Sequence, residues 1–456
     1  MLSNLKNKLV AVLGYGQEGK ATARYLIKHG VTPVLFDQKP WEQWKQGEKD
    51  EIKALGVNFI FGPDCFKELT GFDIAFRSPG IRLDQVTSDK LQVTSQTKWF
   101  FEHCPSKIIG ITGTKGKGTT ATLISEILKL QFKISSLKFK IHLTGNIGEA
   151  QPFDFLDDLT PNDWIIYELS SFQLQDLDKS PHIAVVLMIT SEHLDYHKNL
   201  DEYVEAKTAI TKFQGPNDFA IYNIDYPASI KIGEIGKGTK IQISREQKLE
   251  QGCFVDGDKI ILKNIVGTNF QLPTSDVLLK GSHNLENICA AVAAAAHAGA
   301  SKDVIQKAIN TFKGLSHRLE LVTEKQGIKF YDDSISTTPE TAVAAINSFF
   351  EPLILILGGS SKNSDFSELG NTIKKTKNIK AIILIGEEAD SIKTSLDGFK
   401  GQILENAKNM QEIFRQIKQV ASSGDVVLLS PACASFDMFK DYKDRGEQFK
   451  NLAKDF

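Results

Sequence analysis

The most informative segment of this chain is Gly110-Ile-Thr-Gly-Thr-Lys-Gly-Lys-Gly-Thr-Thr120. It follows a buried strand predicted over Lys107–Ile111 and precedes a helical segment. Successive backbone N–H groups of such a turn, with Lys117 as a point charge, suit the β- and γ-phosphates of a nucleotide. The spacing departs from GxxxxGK followed by Ser or Thr, because Gly118 comes after the lysine and Thr119 one position late. A flexible Gly/Lys turn without a ligand is the alternative.

A second glycine turn lies near the start of the chain. Gly14-x-Gly16-x-x-Gly19 follows a strand predicted at Lys8–Leu13, and Asp37 ends the next strand. This is the context of a dinucleotide fingerprint. The residues alone indicate a nucleotide or diphosphate ligand, with an NAD-dependent oxidoreductase as one interpretation and a turn without ligand as another. Two phosphate-type loops in adjacent α/β blocks disfavour a simple dehydrogenase, which needs only one.

Composition excludes several classes of protein. The formal charge of the 456 residues is −2, which argues against a strongly basic nucleic-acid binder or a polybasic membrane protein. The five cysteines are scattered without a CxxC pair, so neither zinc nor a disulfide framework is indicated. There is no signal-peptide pattern and no apolar run of about 20 residues. We therefore expect a cytoplasmic protein with reduced thiols.

Strands and helices alternate through three α/β blocks, which predicts parallel sheets covered by helices. We expect an N-terminal Rossmann-like domain over residues 1–104, a central P-loop ATPase-like domain over 105–314 and a C-terminal Rossmann-like domain over 315–456. Within the central block, residues 217–275 carry Gly and Asn turns and are predicted to form hairpins.

Further motifs give the chain a specific resemblance. In order they are Gly113–Thr120, Gly145-Asn-Ile-Gly148, Glu168-Leu-Ser-Ser-Phe-Gln173, Ser191-Glu-His-Leu-Asp195, Glu205-Ala-Lys207, Gly281-Ser-His-Asn284, His317-Arg318, Asp333-Ser334 and Ser430-Pro-Ala-Cys-Ala-Ser435. With these motifs the chain resembles the Mur ligase family over essentially its whole length. Three segments are similar to the branch that adds glutamate to UDP-N-acetylmuramoyl-L-alanine: Ser78-Pro-Gly80, Glu168–Gln173 and Ser430–Ser435.

The resemblance implies an ATP-dependent, amide-forming ligase of peptidoglycan precursor synthesis that uses an acyl-phosphate intermediate and Mg²⁺, with two ions expected. The catalytic residues it implies are Lys117, Glu168, His193 and Lys207. Lys207 matches the lysine that reacts with CO₂ to form a carbamate. The implied metal ligands are Thr119, Glu168, His193 and the Lys207 carbamate. Gly118 stands where relatives place a hydroxyl ligand.

The resemblance also implies three binding sets. The ATP set is Gly113, Thr114, Lys115, Gly116, Lys117, Gly118, Thr119, Thr120, Asn284, Asn287, Arg318 and Asp333. The UDP-substrate set is Gln17, Glu18, Asp37, Lys39, Gly80, Asn146, Ser170 and Gln173. The amino-acid set is Thr337, Lys362, Ser435 and Tyr442. The carboxylate of Glu18 suits a diphosphate poorly, so we expect it to point away or to contact the ligand by its backbone.

Three alternatives stay open. Relatives commonly have Asp-Ser-Lys-Ala-Thr where this chain has Asp333-Ser-Ile-Ser-Thr337, so Ile335 removes a cation and leaves L-glutamate as the rival of D-glutamate. A sibling ligase that adds the third residue is another, since His193-Leu-Asp-Tyr-His197 also suits that branch. From a different class, a non-catalytic nucleotide-binding module would not need Glu168, His193 and Lys207 together. We expect a monomer whose partners are small molecules, with no nucleic acid or membrane.

Overall fold

A computed structural model describes residues 5–86, 90–134, 139–148, 150–190, 199–279, 281–361 and 364–456. Three sheets built mainly of parallel strands organise the chain, which confirms the predicted fold class. The chain forms two compact units, Met1–Val277 with Ser282–Thr311 and Leu278–Gly281 with Phe312–Phe456. The domain boundaries predicted after residues 104 and 314 stay predictions. Within the described ranges, no helix combines the length and the apolar character that a membrane crossing requires.

The first sheet belongs to the first unit. Its strands are β1 (Val10–Leu13), β2 (Val34–Asp37), β3 (Phe59–Phe61), β4 (Ile74–Arg77) and β5 (Gln92–Ser95). Its helices are α1 (Gln17–Lys28), α2 (Gln46–Ala54) and α3 (Gln96–His103). The strand order is β3-β2-β1-β4-β5, and every pair is parallel. The order reverses between β1 and β4, so a ligand crevice is expected at the carboxyl ends of these two strands.

The second sheet also belongs to the first unit. Its strands are β6 (Lys107–Thr112), β7 (Ile141–Gly145), β8 (Trp164–Glu168), β9 (Ile183–Val186), β10 (Phe219–Asn223), β11 (Thr239–Ser244), β12 (Gly252–Asp256), β13 (Lys259–Ile265) and β14 (Thr268–Pro273). Its helices are α4 (Lys117–Ile134), α5 (Pro152–Phe155), α6 (Ser171–Leu174), α7 (Leu200–Lys212), α8 (Pro227–Glu234), α9 (His283–His297) and α10 (Lys302–Thr311). The order is β14-β13-β12-β11-β10-β9-β6-β8-β7.

The prediction that residues 217–275 form hairpins is wrong for the first half of that segment. β10 and β11 pair in parallel and are joined through α8, so they extend the parallel sheet. Only β12, β13 and β14 pair as antiparallel neighbours. Alternating apolar residues do not distinguish the two kinds of pairing. The signal that could have done so is Pro227, which occupies the first turn of α8, a preferred position for proline.

The third sheet belongs to the second unit. Its strands are β15 (Glu320–Lys325), β16 (Ile328–Asp332), β17 (Leu353–Gly358), β18 (Ile379–Ile385), β19 (Gln402–Ala407) and β20 (Val426–Leu429). Its helices are α11 (Pro339–Ile346), α12 (Ser367–Lys375), α13 (Ala389–Ser395), α14 (Met410–Val420) and α15 (Tyr442–Lys454). The order is β15-β16-β20-β17-β18-β19, and only β15 and β16 are antiparallel. The carboxyl ends of β16, β20 and β17 therefore lie side by side.

Strand β17 shows why the third sheet is stable. All six of its residues are buried. Leu353, Leu355 and Leu357 enter one core cluster, whereas Ile354 and Ile356 enter another. Each apolar side chain contributes about 1.5–3 kcal/mol when it leaves water. Burial on both faces is typical of a parallel strand covered by helices on either side, and it fixes the strand ends that carry the site loops.

Candidate active site

The phosphate loop, Gly113–Gly116, lies between the end of β6 and the start of α4. A Cβ on Gly113 would lie 2.9 Å from Leu187 Cβ, and one on Gly116 would lie 2.1 Å from Asn287 Oδ1. Gly116 also has φ +84°, which favours glycine. The loop leads directly into the N-terminus of an 18-residue helix, where free N–H groups and the helix dipole favour an anion.

Lys117 is the first residue of α4, and its side chain folds over the phosphate loop. Nζ donates to the carbonyl oxygens of Gly113 at 2.9 Å and Thr114 at 3.0 Å. The same nitrogen lies 3.9 Å from Glu168 Oε1. The side chain is 18% exposed, so its ammonium group stands at the opening of the loop and can exchange carbonyl contacts for phosphate oxygens.

Glu168 ends β8 and is buried. Its Oε2 accepts a hydrogen bond of 3.0 Å from the backbone N–H of Asn146, which follows β7. Strands β7, β8 and β6 are parallel neighbours, so Gly145, Glu168 and Thr112 reach the same edge of the sheet. A buried carboxylate beside the phosphate loop and near a lysine is suited to hold a hard cation.

Lys207 lies on α7 and is 1% exposed. Its Nζ donates to Thr112 Oγ1 at 3.2 Å and to the Gly113 carbonyl oxygen at 3.4 Å, and it lies 4.6 Å from the ring centre of Tyr203. Lys117, Glu168 and Lys207 therefore gather around the start of the phosphate loop. His193, the fourth predicted catalytic residue, falls within 191–198, outside the described residues.

Helix α9 brings Asn287, one of the predicted ATP-binding residues, beside the phosphate loop. Asn287 Nδ2 donates to Asn284 Oδ1 at 3.0 Å, and Thr120 Oγ1 donates to the Asn287 carbonyl oxygen at 3.5 Å. The neighbouring Glu286 accepts hydrogen bonds from Asn223 Nδ2 at 2.6 Å and from the Tyr226 hydroxyl at 3.3 Å. Burial raises the pKa of Glu286, and these two hydrogen bonds partly offset the effect. Among the other predicted ATP residues, Thr119 is buried and Lys115 is exposed.

The first glycine turn closes on itself. A Cβ on Gly19 would lie 1.8 Å from the Gly14 carbonyl oxygen, so α1 can approach the turn only with glycine there. Asp37 Oδ2 accepts from the Tyr15 N–H at 2.7 Å, and Oδ1 accepts from the Lys39 N–H at 2.8 Å. Both oxygens of the carboxylate thus hold the turns after β1 and β2 together.

The turn after β4 is the other side of the crevice. Ser78 Oγ donates to the Gly14 carbonyl oxygen at 3.1 Å, which holds this turn against the glycine turn. Gly80 follows two residues later. Gln17 and Asn146 are both exposed. Gln17, Asp37, Lys39 and Gly80 therefore lie at the carboxyl ends of β1, β2 and β4 in the first sheet, and their contact with a ligand stays a prediction.

Glu18, Ser170 and Gln173 form an internal network. Gln173 Oε1 accepts from the Ser170 N–H at 3.0 Å and hydroxyl at 3.1 Å, and its Nε2 donates to Glu18 Oε1 at 2.8 Å. Glu18 Oε2 is buried and has no hydrogen-bond partner among the described residues. Burial raises the pKa of Glu18 to about 7, against the lowering effects of the Gln173 hydrogen bond and the Arg77 charge. The described contacts of these side chains link α1 to α6, and their contact with a substrate stays a prediction.

In the second unit, Arg318 is exposed on a tight turn. His317 and Leu319 on either side of it have φ +64° and +43°. His317 Nδ1 lies 2.7 Å from Asp332 Oδ2, and Asp333 Oδ1 accepts from the Leu319 N–H at 3.1 Å. Asp333 is buried, and burial raises its pKa to about 6. Through its hydrogen bond with the Leu319 N–H, Asp333 anchors the turn on which Arg318 is exposed.

Two of the predicted amino-acid residues lie in segments that follow neighbouring strands, and a third begins a helix. Thr337 lies in the segment after β16, Ser435 lies in the turn after β20, and Tyr442 begins α15. Lys362 lies outside the described residues. Ile335 is half-buried, and its N–H donates to the His317 carbonyl oxygen at 3.1 Å.

Sequence reasoning missed Arg445, which holds two of these turns. Its fully buried guanidinium donates to the Ser334 hydroxyl and carbonyl oxygens, both at 2.9 Å, and to the carbonyl oxygens of Cys433 at 3.1 Å and Ala434 at 3.3 Å. A signal was available, since the chain has seven arginines against 47 lysines. An arginine retained in such a chain indicates a position that needs a forked donor.

Comparison with known proteins gives two family matches. The description "Mur ligase middle domain" matches residues 111–295, and "Mur ligase, glutamate ligase domain" matches residues 317–433. The UDP-N-acetylmuramoylalanine–D-glutamate ligase of Acetivibrio thermocellus is 37% identical over 461 residues, covering 98% of this chain and 97% of that protein. The protein of the same name from Pelotomaculum thermopropionicum is 37% identical over 467 residues and covers 99% of both chains. In fold, the crystal structure of UDP-N-acetylmuramate-alanine ligase from Thermotoga maritima is similar with a TM-score of 0.60, 16% identity and coverage of 98% and 100%.

The buried carboxyl of Glu18 predicts a pH-dependent gain in stability for Glu18→Gln. The folded pKa of about 7 exceeds the usual value of 4.5, so the folded chain keeps a proton that the unfolded chain releases between these pH values. Native stability therefore falls as pH rises from 4.5 to 7, by about 3 kcal/mol in all. We expect Glu18→Gln to remove this loss, so its melting temperature should exceed that of the wild type at pH 8 and match it near pH 4. The exposed Glu42→Gln serves as the control, and a pH-independent difference for Glu18→Gln would contradict the prediction.

Proposed function

This chain belongs to the Mur ligase family, and we propose that it joins D-glutamate to UDP-N-acetylmuramoyl-L-alanine with ATP, releasing ADP and phosphate. The observation that carries the proposal is identity of 37% along the whole chain to ligases named for that reaction. The gathering of Lys117, Glu168 and Lys207 at the phosphate loop supports it chemically.

The chemistry has two steps. The alanyl carboxylate attacks the γ-phosphorus of ATP, the bond to the bridging oxygen breaks, and an acyl phosphate and ADP form. The amino group of glutamate then attacks the acyl carbon, an amide bond forms, and phosphate leaves with the electron pair of the broken C–O bond. The first step brings two anions together, so it needs fixed positive charge. Lys117 and the N–H groups that open α4 are suited to supply it.

Mg²⁺ would supply further charge neutralisation on the phosphates when bound. The donors available in the chain are hard oxygen ligands of the kind this ion prefers: the Glu168 carboxylate and the Thr119 hydroxyl. We propose these two residues, with His193 and a carbamate on Lys207, as the residues that would hold two ions. Thr119 is buried in the first turn of α4, so its hydroxyl, or a water, is our candidate for the ligand that Gly118 does not provide.

The electrostatics of the loop support a modified Lys207. Lys207 Nζ and Lys117 Nζ donate to the same Gly113 carbonyl oxygen, so they lie within about 6 Å of each other, a distance at which two ammonium groups repel in a poorly solvated site. A buried lysine readily loses its proton. The neutral amine can attack CO₂, forming an N–C bond and releasing a proton. The product is a carbamate whose oxygens are anionic ligands.

The acceptor side of the proposal rests on the second unit. Thr337 and Ser435 offer hydroxyl groups in turns that follow neighbouring strands, and Tyr442 offers one at the start of α15. We assign the glutamate carboxylates to these residues and to Lys362. A dicarboxylate suits hydroxyl donors and a cation better than a diamino acid does. ATP and a nucleotide-linked sugar are cytoplasmic metabolites, so we propose that the protein works in the cytoplasm. We also propose that it is a monomer.

The phosphate loop predicts that Lys117→Ala abolishes catalysis without unfolding the protein. Loss of one fixed cation at the developing charge should lower kcat by about 100-fold or more. ADP release and the melting temperature should be measured together. Lys129→Ala removes an exposed lysine from the same helix and should leave both unchanged. Wild-type rates for Lys117→Ala would overturn the ATP-site assignment.

The proposed carbamate predicts that Lys207→Ala is nearly inactive and is partly restored by a short-chain carboxylate such as acetate. The small anion would take the vacated position and supply the missing oxygen ligand. Lys212→Ala, half-exposed on the same helix, is the control and should need no rescue. An unmodified ammonium group on Lys207 in a crystal structure of the active enzyme, grown with CO₂, would contradict the proposal.

The central test compares acceptors. UDP-N-acetylmuramoyl-L-alanine and ATP should be incubated with D-glutamate, L-glutamate, lysine or meso-diaminopimelate, and amide product should be measured under identical conditions. We expect product with D-glutamate. A preference for either diamino acid would overturn the proposed function. A preference for L-glutamate would change only the stereochemistry and would point to Ile335.

A further inference from the structure

Arg77 ends β4 and is completely buried, and the turn after this strand is wrapped around its guanidinium group. Nη1 donates to the carbonyl oxygens of Ser78 at 3.3 Å, Pro79 at 3.0 Å and Ile81 at 2.6 Å. Three carbonyl groups on one nitrogen define the path of the backbone on both sides of Gly80. The conformation of this turn therefore depends on Arg77.

The other terminal nitrogen of Arg77 contacts α6, a helix that belongs to the second sheet. Nη2 donates to Asp176 Oδ2 at 3.0 Å and to the Phe172 carbonyl oxygen at 3.5 Å. Asp176 lies just after α6 and is 11% exposed, so the ion pair is buried. Ser95 Oγ donates to the other oxygen of Asp176 at 3.4 Å. One side chain thus joins the turn that contains Gly80 to the helix that contains Gln173.

The use of arginine at this point is chemically selective. The chain has 47 lysines and seven arginines, so lysine is its usual cation. A lysine presents three donors on one atom, whereas a guanidinium group presents five in a plane and can bond in two directions. Burial of an ion pair is costly, and such pairs add little to stability compared with apolar residues. Arg77 and Asp176 are therefore better explained by geometry than by stability.

We infer that Arg77 is a positioning residue for the nucleotide-sugar substrate. It holds the Gly80 turn and α6 at one separation, and the adjacent Ser78 holds the same turn against the glycine turn. The two sides of the crevice in the first sheet and the start of α6 then form one site. This inference rests on the proposed function, because the substrate is the one named there.

The test measures KM for each of the three substrates in Arg77→Lys and Asp176→Asn. We expect KM for UDP-N-acetylmuramoyl-L-alanine to rise by about tenfold or more in each variant, while KM for ATP and for glutamate changes by less than about twofold. The double variant should cost less than the sum of the two single changes, since both break one interaction. Arg24→Lys is the matched control, because Arg24 Nη2 lies 3.5 Å from Asp154 Oδ1 in an exposed pair that also joins distant segments.

The possible results distinguish a failure of the proposed function from a failure of the inference about Arg77. A wild-type protein that forms no amide from UDP-N-acetylmuramoyl-L-alanine would overturn the proposed function, and this inference with it. An active wild type whose variants lose melting temperature but keep all three KM values would show a purely structural Arg77 and overturn only the inference. Equal increases for all three substrates would overturn it as well. If Arg77→Lys does not fold, Asp176→Asn alone decides, since asparagine keeps the size and one acceptor of the pair.

Discussion

The packing of Asn287 and Leu187 directly against two glycines of the phosphate loop limits how the rest of the first unit can be arranged. Asn287 from α9 stands where a side chain on Gly116 would have to be, and Leu187, beyond β9, does the same at Gly113. The loop can therefore present its backbone N–H groups only while β6, β9 and α9 keep their positions relative to one another. The buried parallel strands supply that stability, because their ends cannot shift without exposing apolar side chains on two faces. The conformation of the loop thus depends on the packing of apolar side chains along the strands, away from the loop itself.

Several buried charged side chains of this protein share one kind of hydrogen-bond partner. Lys207, Glu168 and Arg445 are all buried, and each makes described hydrogen bonds to backbone groups or hydroxyls. Backbone groups stabilise an ion without cancelling its charge. Such ions keep a charge that can act on phosphates, carboxylates and metal ions. The ligase chemistry, which brings anions together, needs that arrangement.

The sequence predicts what is local and misses what is distant in the chain. Both glycine turns, their strands and the following helices could be predicted, because strand, turn and helix are contiguous. Parallel pairing of β10 with β11 was missed, since alternation does not reveal the partner of a strand. The bond between Arg77 and Asp176 spans 99 positions, and no spacing rule connects them. Lys207 is one of 47 lysines, and only the flanking motif distinguished it. Arrangements of this kind depend on tertiary packing, which periodicity does not encode.

The first glycine turn shows how a local motif leaves its ligand undecided. In dinucleotide enzymes the acidic residue at the end of the second strand binds ribose hydroxyls. Here both oxygens of Asp37 accept backbone N–H groups, from Tyr15 and Lys39, so the first task of this carboxylate is to join two turns. The Gly80 turn, held by Arg77 and Ser78, faces this glycine turn, and Arg77 also bonds to α6 and to Asp176 just after it. The same glycine motif is therefore compatible with ligands other than a dinucleotide, including the nucleotide-sugar proposed above, and the motif alone does not decide between them.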